Sequence, residues 1–87
     1  MADLMHSNKS LRYLALGDSY TIGTGTEGPE QAFPARLASL ARERDTAILQ
    51  VTNPAVDGYA TAEVIKEELP LLQVVRPQLV SILVGAN

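Results

Sequence analysis

A serine on a glycine-led turn is the residue in this sequence best suited to nucleophilic chemistry. The segment LALGDSYTIGTG (residues 14–25) begins as an apolar run and reaches Ser19 through Gly17 and Asp18. Glycine permits a sharp reversal that a β-carbon would hinder. A serine on such a turn can expose its hydroxyl while neighbouring backbone N–H groups stay free for a substrate oxygen. Gly, Asp, Ser and Thr also fill ordinary polar turns, so both interpretations stay open on this segment alone.

Three apolar runs are predicted to form the strands that position this turn. They are nearly continuous, as is typical of strands covered on both faces in a parallel sheet. Their predicted bounds are residues 11–16, 48–52 and 78–84.

Two helices are predicted between these strands. Residues 33–45 carry apolar side chains at helical spacing, with Pro34 in the first turn, where its missing N–H has no cost. Thr61 is the predicted cap of the second helix, and Glu63 lies in its first turn. Pro70 lacks a backbone donor and clashes with the preceding turn, so we expect a break near Glu68 and Leu69.

The order strand, helix, strand, helix, strand predicts an α/β fold with right-handed crossovers. We expect a three-layer, flavodoxin-like parallel sheet, present here as an incomplete βαβαβ portion. The loops after the strands, residues 17–25, 53–59 and 85–87, then open at one edge of the sheet, where ligands bind. The sequence therefore predicts that three distant segments meet at one site.

Composition narrows the class of protein. The chain has 87 residues, 46% of them hydrophobic, and a net charge of −3 without a basic patch, so we expect one globular domain and no nucleic-acid partner. No cysteine is present, which excludes disulfides and thiolate metal sites, and no metal or cofactor is predicted. Neither a secretory signal nor a membrane-spanning run is seen, so a cytoplasmic location away from membranes is expected. Residues 1–10 are predicted to be a mobile arm.

Three short blocks in the predicted loops resemble the SGNH hydrolases, also called the GDSL esterase/lipase family. The first block is Gly17-Asp18-Ser19 after the first strand. The second is Gly58 in the loop NPAVDG after the second strand, and the third is Gly85-Ala86-Asn87 after the third. The resemblance covers residues 11–87, which would be the N-terminal portion of such a hydrolase domain.

The resemblance implies a role for each of these residues in hydrolysing a small-molecule ester. Ser19 would attack the acyl carbonyl. The resulting oxyanion would be held by the backbone N–H groups of Ser19 and Gly58 and by the side-chain amide of Asn87. Preorganised donors of this kind stabilise the negative charge of a tetrahedral intermediate. Asp18 is expected to anchor the turn, with Gly17 and Gly85 in supporting positions.

In this family a D-x-x-H block well beyond the third strand supplies the general base and its orienting carboxylate. The 87 residues reach only as far as the third block, so they do not include it. The single histidine, His6, precedes the first strand whereas Ser19 follows it, so the two should lie at opposite edges of the sheet. Without a base, serine is a poor nucleophile, so the 87 residues alone are expected to be nearly inactive. We expect these residues to belong to a longer hydrolase.

Two further expectations concern surfaces. A third strand left at the edge of the sheet would expose apolar area, so a missing C-terminal segment or a second copy is predicted to cover residues 78–84. The alternative function is a non-catalytic, flavodoxin-like module that binds phosphate or FMN. Its basis is the Thr- and Gly-rich segment 21–26, which is similar to a phosphate loop.

Overall fold

A computed structural model describes residues 9–85 and contains one three-stranded parallel sheet. Its strands are β1 (Ser10–Gly17), β2 (Ile48–Thr52) and β3 (Leu79–Leu83). The strand order is β2-β1-β3, so the first strand lies in the middle. This is the 2-1-3 order of flavodoxin-like sheets, and it confirms the predicted α/β fold.

The first crossover holds a short helix, α1 (Ser19–Ile22), a 3₁₀ turn (Pro29–Gln31) and a longer helix, α2 (Phe33–Glu43). The sequence predicted only loop over residues 17–28, so α1 is an addition. Helix α2 ends two residues earlier than predicted. Arg44 is its C-cap, and Asp45 has a φ of 56°, a left-handed conformation that cannot continue the helix.

The second crossover is helical over residues 61–75, but its hydrogen-bonding pattern changes along the way. It consists of α3 (Thr61–Glu63), a π-helical segment (Val64–Glu68), a 3₁₀ turn (Leu69–Leu71) and α4 (Leu72–Val75). The change from π to 3₁₀ falls between Glu68 and Leu69, where Pro70 was predicted to interrupt the helix. Pro70 has no N–H to donate, so the regular α pattern cannot run through it.

The start of this helical stretch differs from the prediction in one detail. Thr61 is its first helical residue, and Ala60 occupies the N-cap position. The Glu63 side chain instead accepts a hydrogen bond from the Ala60 N–H at 2.8 Å. The carboxylate therefore satisfies a backbone donor that has no partner within the helix.

The core is centred on β1, whose residues Tyr13–Leu16 are all inaccessible to solvent. Successive side chains of a strand point to opposite faces, so β1 is buried on both. On one face Leu14 and Leu16 pack with Val64 of the π segment. On the other, the Tyr13 hydroxyl is hydrogen-bonded to Ser81 Oγ at 2.7 Å. The first crossover runs from β1 to β2, and the second runs back past β1 to β3, so right-handed connections place their helices on opposite faces of the sheet.

Strand β3 lies at an edge, and within residues 9–85 it pairs only with β1. Its Val80, Ile82 and Leu83 are exposed, Ile82 by 59%. The expectation that a further strand covers this edge stays a prediction.

Two other expectations concern the ends and the helices of the chain. The predicted arm falls mostly outside the described residues, and Ser10 already belongs to β1. None of the helices between residues 9 and 85 is long and apolar enough to cross a membrane.

Candidate active site

Asp18 shapes the turn that carries Ser19. Its side chain is fully buried, and Oδ1 accepts a hydrogen bond from the Tyr20 N–H at 3.1 Å, as an N-cap residue does. Its carbonyl oxygen accepts from the N–H groups of Thr21 and Ile22, each at 3.0 Å. These hydrogen bonds hold the backbone of the turn that leads into α1.

Gly17 is required here because other parts of the backbone come close to it. A Cβ at this position would collide with the carbonyl oxygen of Leu83 on β3 and with Oγ1 of the buried Thr21. The register pairs Gly17 with Leu83 directly. Any larger residue must therefore push β1 and β3 apart at the point where the chain turns toward Ser19.

Ser19 is the first residue of α1 and is partly exposed. Its carbonyl oxygen accepts from the N–H groups of Gly23 and Thr24, at 2.9 and 3.0 Å. Within residues 9–85, no hydrogen bond engages either its hydroxyl or its backbone N–H. A ligand can therefore meet a hydroxyl and an N–H donor on the same residue.

The loop after β2 is fastened to the helix that carries Ser19. The Asn53 Nδ2 group donates to the Thr21 carbonyl at 2.9 Å. The Asn53 Oδ1 atom accepts from the Ala55 N–H at 3.2 Å, which holds the start of the loop. One side chain therefore links the first two predicted blocks.

Gly58 lies farther along the same loop in a conformation that favours glycine. Its φ is 85°, and apart from its two chain neighbours no atom of residues 9–85 lies within 4 Å of the position where a Cβ would stand. Backbone conformation, rather than crowding, therefore explains a glycine at this exposed site.

Tyr59 ties the end of this loop to the second crossover. Its side chain packs beside the Leu14, Leu16 and Val64 cluster. Its hydroxyl donates to Glu67 Oε1 at 2.6 Å, and this hydrogen bond raises the pKa of Tyr59. Tyr59 therefore holds the end of this loop, as Asn53 holds its start.

The third block begins at the same edge of the sheet. Gly17 and Leu83 are paired across β1 and β3, and Ser19 and Gly85 each follow two residues later. Gly85 is exposed, with a φ of 121°. Asn87, the predicted carboxamide donor, lies outside the described residues, as does His6.

A buried carboxyl beneath the turn was not identified from the sequence. Glu68 is only 2% exposed, and its Oε1 accepts from the Gly17 N–H at 2.8 Å. Burial raises the pKa of Glu68, the Gly17 hydrogen bond opposes that rise, and the negative charges of Asp18 and Glu67 add to it. The available signal was its position four residues after Val64, on the apolar side of the helix.

Comparison with protein families agrees with this architecture. Residues 15–87 match the family described as GDSL-like Lipase/Acylhydrolase. The chain belongs to this family. The GDSL-like match includes all three sequence blocks, and it confirms the resemblance on which the hydrolase interpretation rests. No curated protein matched the chain.

The hydrogen bonds of segment 21–26 oppose the flavodoxin-like alternative. A phosphate loop needs backbone N–H groups that point at the ligand. Here the N–H groups of Thr21, Ile22, Gly23, Thr24 and Thr26 all donate to carbonyl oxygens of residues 18–23. Five of the six backbone N–H groups of segment 21–26 are therefore already hydrogen-bonded within the protein.

Proposed function

We propose that this chain carries the nucleophile and oxyanion donors of a serine-dependent ester hydrolase. The observation that carries the proposal is the Ser19 turn. Its hydroxyl and N–H have no partner within residues 9–85, and Asp18 fixes its backbone. Asn53 connects this turn to the loop of Gly58, the second proposed donor. Membership of an acylhydrolase family supports the same kind of chemistry.

The proposed reaction begins when Ser19 Oγ attacks the carbonyl carbon of an ester. A base removes the hydroxyl proton, and the carbonyl oxygen becomes an oxyanion. The N–H groups of Ser19 and Gly58 and the amide of Asn87 donate to that oxygen. The intermediate then expels the alcohol, which takes up the proton. Water, activated by the same base, releases the acid and restores the serine. Loss of one such donor typically lowers the rate by about 10²–10³.

The base is proposed to come from outside residues 9–85. No histidine lies in this range, and His6 is the single one in the sequence. In a serine protease, loss of the histidine alone lowers turnover by about 10⁶. The 87 residues by themselves should therefore hydrolyse esters only slowly, although they hold the nucleophile.

The test compares the full-length protein with its Ser19→Ala variant on p-nitrophenyl acetate and butyrate. Ser39→Ala is the matched control, because Ser39 is an exposed serine on α2. We expect Ser19→Ala to reduce turnover at least 10³-fold and Ser39→Ala to leave it within twofold. Turnover that persists in Ser19→Ala would remove Ser19 from the proposed role.

A further inference from the structure

Glu68 is a buried acidic residue that the hydrolase mechanism does not use. Glu68 is the last residue of the π-helical segment. Its Oε1 accepts a hydrogen bond from the N–H of Gly17, which lies 51 residues earlier in the chain. Its second oxygen, Oε2, is buried and has no hydrogen-bond partner among residues 9–85. Burying a polar oxygen without a partner is unfavourable, so such groups call for a specific explanation.

The bonded oxygen of Glu68 acts on the peptide that leads to the nucleophile. Gly17 is the last residue of β1, and its chain continues through Asp18 to Ser19. Leu83 restrains this peptide from one side by strand pairing. Glu68 restrains it from the second crossover by accepting its N–H at 2.8 Å. Two elements distant in sequence therefore fix the peptide two residues before Ser19.

The charges around Glu68 favour its neutral form. Asp18 faces it from the β1–α1 turn, Glu67 precedes it on its own segment, and both act to raise its pKa, as does burial. Tyr59, on the loop packed beside this segment, donates its hydroxyl to Glu67. A protonated Glu68 can still accept from Gly17 through its carbonyl oxygen, and it avoids a second negative charge beside Asp18.

We propose that Glu68 is a positioning residue, whose carboxyl holds the Gly17 amide and thereby sets the orientation of the Ser19 turn. The hydrogen bond is seen directly in the structure, whereas its effect on catalysis rests on the function proposed for Ser19. A displacement of about 1 Å at a reacting group can lower the rate by about 10². Loss of the acceptor should therefore lower kcat more than it raises KM.

Three substitutions at Glu68 separate its possible roles. Glu68→Gln keeps an acceptor oxygen and has no charge. Glu68→Leu has a similar volume and no acceptor. Glu68→Asp keeps the carboxyl but withdraws it by one methylene, and it decides the question if the leucine variant does not fold. Glu43→Gln is the control, because Glu43 is an exposed carboxylate at the end of α2.

Amide hydrogen exchange of Gly17, followed by NMR, reports the hydrogen bond without any catalytic assay. We expect exchange at least tenfold faster in Glu68→Leu and Glu68→Asp. Glu68→Gln and Glu43→Gln should match the wild type. Unchanged exchange in both Glu68→Leu and Glu68→Asp overturns the proposal, whether or not Ser19 is the nucleophile.

Steady-state hydrolysis of p-nitrophenyl acetate by the full-length protein then tests positioning. We expect kcat to fall about 10- to 100-fold in Glu68→Leu and Glu68→Asp, with KM within about twofold. Glu68→Gln should stay within about threefold of the wild type. Faster Gly17 exchange with unchanged kcat overturns the positioning role. Turnover that survives Ser19→Ala refutes the hydrolase proposal instead, and the Gly17 exchange still decides whether Glu68 holds the turn.

Discussion

Replacement of Gly17 by alanine tests the close approach of the Leu83 backbone and the Thr21 side chain to the residue two positions before the proposed nucleophile. The new Cβ would meet the Leu83 carbonyl oxygen and Thr21 Oγ1 at distances that atoms do not adopt. The Leu83 oxygen belongs to the backbone of a paired strand, so no change of rotamer can relieve that contact. Strands β1 and β3 must separate locally, or the Ser19 turn must shift.

The magnitude follows from two opposing terms. Extra methyl groups in a well-packed region typically destabilise a protein by about 1–3 kcal/mol. Alanine also restricts the unfolded chain, which stabilises the folded state by about 0.4–1 kcal/mol. The collision here involves backbone, so we expect a value in the upper part of the range, a net loss of about 2 kcal/mol. For a domain of this size, that corresponds to a fall in Tm of roughly 8–16 °C.

Thermal and urea unfolding of the Gly17→Ala variant measure this loss. Gly28→Ala is the matched control, because its Cβ would approach only the movable Glu30 side chain. A second variant, Gly17→Ala with Thr21→Ala, removes one of the two collisions and leaves the Leu83 contact. We expect it to remain less stable than Thr21→Ala alone, because the contact with the Leu83 backbone is unchanged. A Gly17→Ala protein as stable as Gly28→Ala would refute the close approach of β1 and β3.

Three further predictions concern the loops and the buried carboxyl. Asn53→Asp keeps the acceptor for the Ala55 N–H but sets a carboxylate oxygen against the Thr21 carbonyl oxygen, whereas Asn53→Ala removes both hydrogen bonds. Each variant should lower ester turnover and reduce stability by at least about 1 kcal/mol in urea unfolding, and wild-type stability in both would contradict the link from Asn53 to Thr21. Gly58→Ala, at a φ of 85°, should cost about 1–2 kcal/mol in urea unfolding while its backbone N–H is kept, and a stability equal to that of the wild type would contradict the left-handed conformation of this residue. The pKa of Glu68 is raised above its usual 4.5 in the folded state, so Glu68 binds a proton more tightly in the folded protein than in the unfolded chain. The stability of the wild type relative to Glu68→Gln should therefore be greatest below pH 4.5 and fall as pH rises through the raised pKa; a difference that grows with pH would contradict this assignment.

The sequence by itself determined the order of elements and the three blocks that resemble the GDSL family. Apolar runs that alternate with helical spacing specify parallel strands joined by crossover helices, because each pattern suits only one way of burying its side chains. Gly17 and Asp18 were recognisable from the chemistry of turns, whereas Gly58 was recognisable only from the resemblance to the family. Even the interruption at Pro70 followed from its missing N–H.

Contacts between distant residues decided the rest. Helix α1 was missed because it has four residues and depends on Asp18 as its cap. The hydrogen bond from Asn53 to Thr21 and the hydrogen bond from Gly17 to Glu68 span 32 and 51 residues. No local pattern encodes such pairs, since they form only when the sheet and its crossovers bring the segments together. The sequence therefore identified the proposed nucleophile, whereas the tertiary structure determined what holds it in place.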